Sequence, residues 1–73
     1  MKVNMLEEIK KLEDEICRGN EMISLLTSEI VDLEFEGNLF DHNRIGTLKK
    51  RIVNIIDANI TRRLKIRKLK SKL

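Results

Sequence analysis

The chain has 73 residues, with no proline, three glycines and 37% charged side chains. This length gives one domain whose core supplies only about a few kcal/mol, so self-association is expected. No apolar run approaches the roughly 18 residues that a membrane span needs. We therefore expect a soluble, intracellular protein, and its Lys-, Ile- and Asn-rich composition suggests a bacterial or viral origin.

Helix 1 is predicted over residues 2 to 36. Its apolar side chains step alternately by four and three residues, the 3.5-residue period of a helix that packs along a narrow seam. The seam positions are Met5, Ile9, Leu12, Ile16, Gly19, Ile23, Leu26, Ile30 and Leu33. The heptad passes through Gly19 without a skip, which favours one continuous helix over two helices that break there.

A turn is predicted over residues 37 to 46. Gly37 provides the left-handed conformation that ends many helices, and Leu39 and Phe40 are expected to fold over the end of the core. The candidates for capping helix 2 are Asp41, Asn43 and Thr47.

Helix 2 is predicted over about residues 44 to 71. Its seam consists of Ile45, Leu48, Ile52, Ile55, Asn59, Arg62, Ile66, Leu69 and Leu73. A second line of apolar residues, which we call the apolar stripe, lies beside this seam and consists of Val53, Ile56, Ile60 and Leu64. The apolar arc of helix 2 is therefore wider than one partner helix covers.

The charge pattern predicts that the two helices fold back on each other. Residues 1 to 41 carry eleven acids and four bases, a net −7, whereas residues 42 to 73 carry one acid and eleven bases, a net +10. Glutamates flank the seam of helix 1, so two copies of that helix would repel each other. The predicted fold is all-α, an antiparallel two-helix coiled-coil hairpin forming a single domain.

Two registers of this hairpin satisfy the flanking charges. One register joins Glu36 with Arg44, Glu29 with Arg51, Glu15 with Lys65 and Glu8 with Lys72. The register one heptad away joins Glu34 with Lys49 and Glu13 with Lys70. Exposed ion pairs contribute only about 0–1 kcal/mol each, so both registers stay open.

The apolar stripe predicts a homodimer in which two hairpins form a four-helix bundle. The predicted interface residues are Met22, Leu25, Val53, Ile56, Ile60 and Leu64. A dimer in which each subunit supplies helix 2 to the other is the alternative. The lone Cys17 favours a reducing compartment, although a symmetric disulfide between two copies also stays open.

The end of helix 2, which we call the basic end, concentrates positive charge. It consists of Arg62, Arg63, Lys65, Arg67, Lys68, Lys70 and Lys72. These cations suit the helix dipole in a solvated helix end, but they also suit nucleic acid or an acidic protein surface. An anionic membrane surface fits less well, because the chain has no Trp or Tyr anchors.

The sequence holds no catalytic constellation, so no enzyme activity, cofactor or small-molecule substrate is expected. It contains no Gly-rich phosphate loop and no histidine beside a nucleophile. His42 is the only histidine and does not make a metal site by itself. The leading hypothesis is therefore a small regulatory protein that binds other proteins as a hairpin dimer, and the alternative is a nucleic-acid-binding module.

One expectation concerns the middle of the seam, where Gly19 comes level with Asn59 to Arg62. A buried Asn or Arg must find hydrogen-bond partners. We expect the missing side chain of Gly19 to leave room for Asn59 or Arg62 to reach Asn20 or backbone carbonyls. This polar contact should fix the register, and Gly19→Leu should destabilise the hairpin.

Overall fold

The computed structural model describes residues 2–37 and 41–73, together with their side chains except those of residues 2, 3 and 41. Within these ranges the chain forms helix α1 over Lys2–Glu36 and helix α2 over Asp41–Lys70, with no strand. The two helices pack against each other in an antiparallel hairpin that measures 55 × 14 × 12 Å. The predicted all-α hairpin is confirmed.

Helix α1 is continuous through Gly19 and ends where the sequence predicts. Gly37 has a φ of 65° and its N–H donates to the carbonyl oxygen of Glu34 at 3.3 Å. This left-handed residue closes the last turn of the helix, because a glycine has no Cβ to clash there.

Helix α2 begins three residues earlier than predicted and ends one residue earlier. Residues 41 to 46, expected in the turn, are helical. Asn43 and Thr47 are therefore not caps, and the Thr47 hydroxyl instead donates to the Asn43 carbonyl at 3.0 Å, a bond within the helix. The expectation for Leu39 and Phe40 lies outside the described residues.

The core is a narrow line of aliphatic side chains along the seam. The buried apolar residues in the described part of the chain are Ile9, Leu12, Leu26, Ile30 and Leu48. Leu33, Ile45, Ile52 and Ile55 pack, partly buried, against the cluster of Leu26, Ile30 and Leu48. Two helices thus bury little more than one stripe each, and none of the described helical segments is apolar enough over sufficient length to cross a membrane.

Ion pairs between the helices identify the register. Glu34 pairs with Lys49 at 3.7 Å, as the second predicted register requires. Glu29 pairs with Arg44 at 2.6 Å and Glu8 with Lys65 at 3.5 Å, each one heptad nearer the turn than in the first register. Among the described side chains, the pairs of the first register are therefore not formed, and of the two pairs of the second register only that of Glu34 with Lys49 is present.

Candidate functional site

A polar layer interrupts the apolar seam at the middle of the hairpin. Asn59 is the most buried side chain of this layer, with 1% of its surface exposed. Its amide Nδ2 donates to Oδ1 of Asn20 at 3.2 Å, and its Oδ1 accepts from Nη1 of Arg62 at 2.8 Å. Arg62 in turn donates from Nε to Oε2 of Glu15 at 3.2 Å.

Gly19 makes this layer fit between the helices. A Cβ at position 19 would lie 2.9 Å from both Oδ1 and Nδ2 of Asn59, and 3.1 Å from Cγ2 of Ile55. These distances are shorter than ordinary van der Waals contact, so the carboxamide occupies the space that a side chain would take. The prediction that Gly19 leaves room for Asn59 to reach Asn20 is confirmed.

The hydrogen bonds of the polar layer satisfy its buried groups. Among the side chains that the structure describes, no buried nitrogen or oxygen lacks a hydrogen-bond partner. Arg62 keeps only 30% of its side-chain surface exposed and is held by Glu15 and Asn59. Arg62 is therefore half-buried and held in the polar layer, whereas the other cations of the basic end are exposed.

The seam divides the surface of the hairpin into two lateral faces. The ion pair of Glu34 with Lys49 lies on one side of the seam, and the ion pair of Glu29 with Arg44 lies on the other side. Residues at the same heptad positions as either pair lie on the same side as that pair. We call the first side the stripe face, because it carries Val53, Ile56 and Ile60. The second side is called the notch face, after the cavity described below.

The apolar stripe is exposed in the hairpin. Val53, Ile56, Ile60 and Leu64 have between 43% and 60% of their surface accessible. The first three lie on the stripe face, and Leu64 continues their line around the outside of α2. At the same levels of the hairpin, α1 presents short exposed side chains, namely those of Cys17, Asn20, Ser24 and Thr27.

The notch face carries a cavity of about 350 Å³ that opens to the surface beside the polar layer. Its lining residues are Glu15, Arg18, Gly19, Met22, Asn54, Ile55, Ala58 and Arg62. We call this cavity the notch, and the small residues Gly19 and Ala58 lie in its walls among longer side chains. Met22 and Leu25 lie on this side, 41% and 66% exposed.

The structure does not bring all the predicted interface residues together. Met22 and Leu25 lie on the notch face, whereas Val53, Ile56 and Ile60 lie on the opposite side of the seam. One flat contact between two hairpins therefore covers one group or the other. The heptad itself carries this distinction, because Met22 and Leu25 occupy g and c positions whereas Val53, Ile56 and Ile60 occupy b and e positions on the other side of the seam.

The basic end divides into cations held by α1 and cations that project outward. Arg62 and Lys65 pair with Glu15 and Glu8. The remaining members are exposed, namely Arg63, Arg67, Lys68, Lys70 and Lys72. The open end of the hairpin, opposite the turn, consists of residues 1–19 and 62–73. Residues 1–19 carry a net charge of −1 and residues 62–73 a net charge of +7, so this end carries +6 and is strongly positive.

Several surface features were not anticipated from the sequence. Ala58 lies in the wall of the notch. It is the only alanine in the sequence, and this small residue in helix 2 was the sign from which the notch could have been predicted. Leu6, Val31 and Phe35 are also exposed, with Phe35 at 92%. They fall outside the core heptad positions, which was the signal in the sequence.

The remaining reactive side chains are scattered over the surface. His42 and Cys17 are both exposed. Within residues 2–37 and 41–73, no three His, Cys, Asp or Glu side chains are grouped closely enough to hold a metal ion. The candidate functional site is therefore a set of surfaces: the stripe face, the notch and the basic end.

Comparison of the chain with protein-family models, curated proteins and solved structures gives no match. The class that the fold defines is the antiparallel helical hairpin, which serves many unrelated functions. The surfaces of this hairpin are therefore the features that bear on its function.

Proposed function

We propose that this chain is a non-enzymatic interaction module that acts as a homodimer through its stripe face. The observation that carries the proposal is the line of exposed branched side chains on the outside of α2. Isolated exposed apolar residues are ordinary, but a contiguous apolar patch commonly marks an interaction site. The narrow core of the hairpin supports the same conclusion, since a second copy adds the apolar burial that a small domain lacks.

The burial of the apolar stripe supplies only part of the free energy that a dimer needs. Fully burying a Val or Ile side chain stabilises by about 1.5–3 kcal/mol, and those of Val53, Ile56 and Ile60 are already about half buried. Six such side chains in two copies then contribute about 6 kcal/mol. Association itself costs at least about 4 kcal/mol, and a micromolar dissociation constant needs about 8 kcal/mol net, so the α1 side chains and charges that face the stripe in the second copy must supply the rest.

Sedimentation equilibrium at about 10–200 μM tests the proposal. The chain is expected to approach twice its 8.6 kDa mass, and the double variant Ile56→Gln/Ile60→Gln to remain monomeric. The matched control is Met22→Gln/Leu25→Gln, which changes the notch face by the same chemistry and should leave the dimer intact. A chain that stays at 8.6 kDa throughout this range would contradict the proposal, and loss of the dimer only in the control would move the contact to the notch face.

The second candidate function is the binding of nucleic acid at the basic end. The observation that favours it is the exposure of Arg63, Arg67, Lys68 and Lys70 next to one another on α2, apart from the ion pairs with α1. Phosphate contacts release counterions, so such binding weakens steeply with salt.

Binding of a labelled duplex DNA at about 50 and 200 mM salt tests this second candidate. The variant Arg63→Gln/Arg67→Gln/Lys68→Gln is expected to lose at least tenfold in affinity. The matched control Lys49→Gln/Lys50→Gln/Arg51→Gln removes the same charge from the turn end and should change affinity little. Equal losses in both variants would indicate attraction by net charge alone, and no binding at 50 mM salt would exclude this function.

A further inference from the structure

We propose that two hairpins associate lengthwise, with the two-fold axis along the long axis of the hairpin. This inference rests on the proposed self-association and specifies its geometry. In the lengthwise dimer, each α1 packs against α2 of the second copy, and the open ends of both copies lie side by side. The competing crosswise dimer has its axis perpendicular to the hairpin, so that α2 packs on α2 and the open ends point apart.

The sizes of the side chains on the stripe face favour the lengthwise dimer. On this face α2 presents branched apolar side chains, whereas α1 presents the shorter side chains of Cys17, Asn20, Ser24 and Thr27 at the same levels. In the lengthwise dimer each residue has the same height along the long axis in both copies, because the two-fold axis runs along the hairpin. Large side chains of one copy then face small side chains of the other, which allows two helical layers to interdigitate.

Crosswise pairing lacks this complementarity. A crosswise axis centred on the stripe sets Ile56 of one copy opposite Ile60 of the other, and it places small residues of α1 against each other. The gap between the two α1 helices would then differ from the gap between the two α2 helices. Close packing on one side of such a bundle leaves space on the other, and unfilled space lowers stability.

The charges beside the stripe favour the same geometry. The crosswise dimer sets Lys49 of one copy opposite Arg67 of the other, nine residues from the centre on each side. The lengthwise dimer instead brings Lys49 near Glu34 of the second copy, repeating the pair that Lys49 and Glu34 make within one hairpin. Like charges at such flanking positions select against a pairing.

The lengthwise dimer also brings opposite charges together near the open end. Arg63 comes level with Glu13 of the second copy, and both side chains are exposed on the stripe face. Lys10 comes level with Arg67 of the second copy, a like-charge contact that exposure to solvent keeps weak. The regions that carry +6 in each copy lie side by side, so the dimer has one strongly basic end.

A distance between spin labels distinguishes the two geometries. Cys17→Ser removes the native thiol, and Ser71→Cys then places one label at the open end of each copy. In the lengthwise dimer the helices lie about 8–10 Å apart, so the label-to-label distance is expected below about 25 Å. Ser71 lies 13 residues from the middle of the stripe at about 1.5 Å per residue, which gives about 40 Å in the crosswise dimer.

A matched label and a mass measurement make each outcome decisive. Asp57→Cys in the same background lies at the middle of α2, so its labels should be close in either dimer. Dimeric mass with a short distance at both positions supports the proposal. Dimeric mass with about 40 Å at position 71 overturns the lengthwise geometry and leaves the proposed function standing, whereas a monomeric mass overturns both.

Discussion

The Asn59 carboxamide is a buried polar group at the middle of this hairpin. It is buried between the helices and bonded to Asn20 on one side and Arg62 on the other. An apolar residue would pack there at lower desolvation cost, since a buried polar group must replace its bonds to water. Polar seam residues of this kind specify register and pairing at some expense of stability.

At the residue scale, we predict that Gly19→Ala destabilises the hairpin. Alanine gains about 1 kcal/mol in helix propensity, but its Cβ would displace Asn59 from hydrogen bonds whose loss costs about 1–3 kcal/mol. We expect a net loss of about 1 kcal/mol, or a fall of about 4–8 °C in Tm, and a larger fall for Gly19→Leu. Thermal denaturation followed by circular dichroism measures both.

The control for this prediction is Gly46→Ala. Gly46 lies within α2, and a Cβ there meets nothing within 4 Å. The same substitution should therefore show the propensity gain alone and raise Tm by several degrees. A higher Tm for Gly19→Ala as well would mean that the gap at Gly19 is a tolerated defect.

At the scale of the helices, the hairpin itself is predictable from sequence. The heptad of α1 identifies a long helix with a narrow seam, and the opposite charges of the two halves identify its partner. The boundary at Gly37 is also predictable, because few other residues adopt a positive φ. These features depend on local pattern and on net charge, which the sequence displays directly.

The register and the start of α2 are harder to predict, for different physical reasons. Exposed ion pairs are weak, so the flanking charges alone leave two registers nearly equal. The start of α2 is ambiguous because Asp41, Asn43 and Thr47 all have residue types that favour caps. The notch could be predicted only once the register was known, because its walls come from both helices.

A prediction at this scale concerns the role of Asn59 in the register. Asn59→Leu keeps the shape of the side chain and removes the buried amide, so we expect a higher Tm. We also expect α2 to slide by one heptad in part of the population, because Leu discriminates less between registers. Amide NMR spectra should then show one set of peaks for the native chain and additional sets for Asn59→Leu.

The opposite outcome is equally informative. A single set of NMR peaks in Asn59→Leu, with unchanged shifts away from position 59, would mean that the charges and the turn suffice to fix the register. Asn20→Ala serves as the control, because it removes one exposed acceptor and leaves the carboxamide of Asn59 bonded to Arg62. It should keep one register.

At the scale of the whole molecule, charge varies along the long axis. The open end carries +6, whereas residues 20–61 carry −3, from seven acids and four bases. Ion pairs across the seam neutralise part of the basic end and leave its outward cations exposed. An elongated molecule with opposite charges at its two ends approaches a polyanion with its open end first.

The core cluster of Leu26, Ile30 and Leu48 lies in the turn half of the hairpin. Counting heptads from Gly19 and Asn59 aligns Ile30 with Leu48, 18 positions apart, and Ile9 with Leu69, 60 positions apart. Closing the longer loop first costs about 1 kcal/mol more. We therefore expect the helices to join at the turn and zip towards the open end.

Chevron kinetics of two matched variants test this direction. Ile30→Val and Ile9→Val each delete one methyl from a buried seam position, at a cost of about 0.5–1.5 kcal/mol. In the Ile56→Gln/Ile60→Gln background, which removes self-association as a second step, Ile30→Val should mainly slow folding and Ile9→Val mainly speed unfolding. The reverse pattern would place the nucleus at the open end. With the nucleus at the turn, the basic end is the last part of the hairpin to close and the first to open.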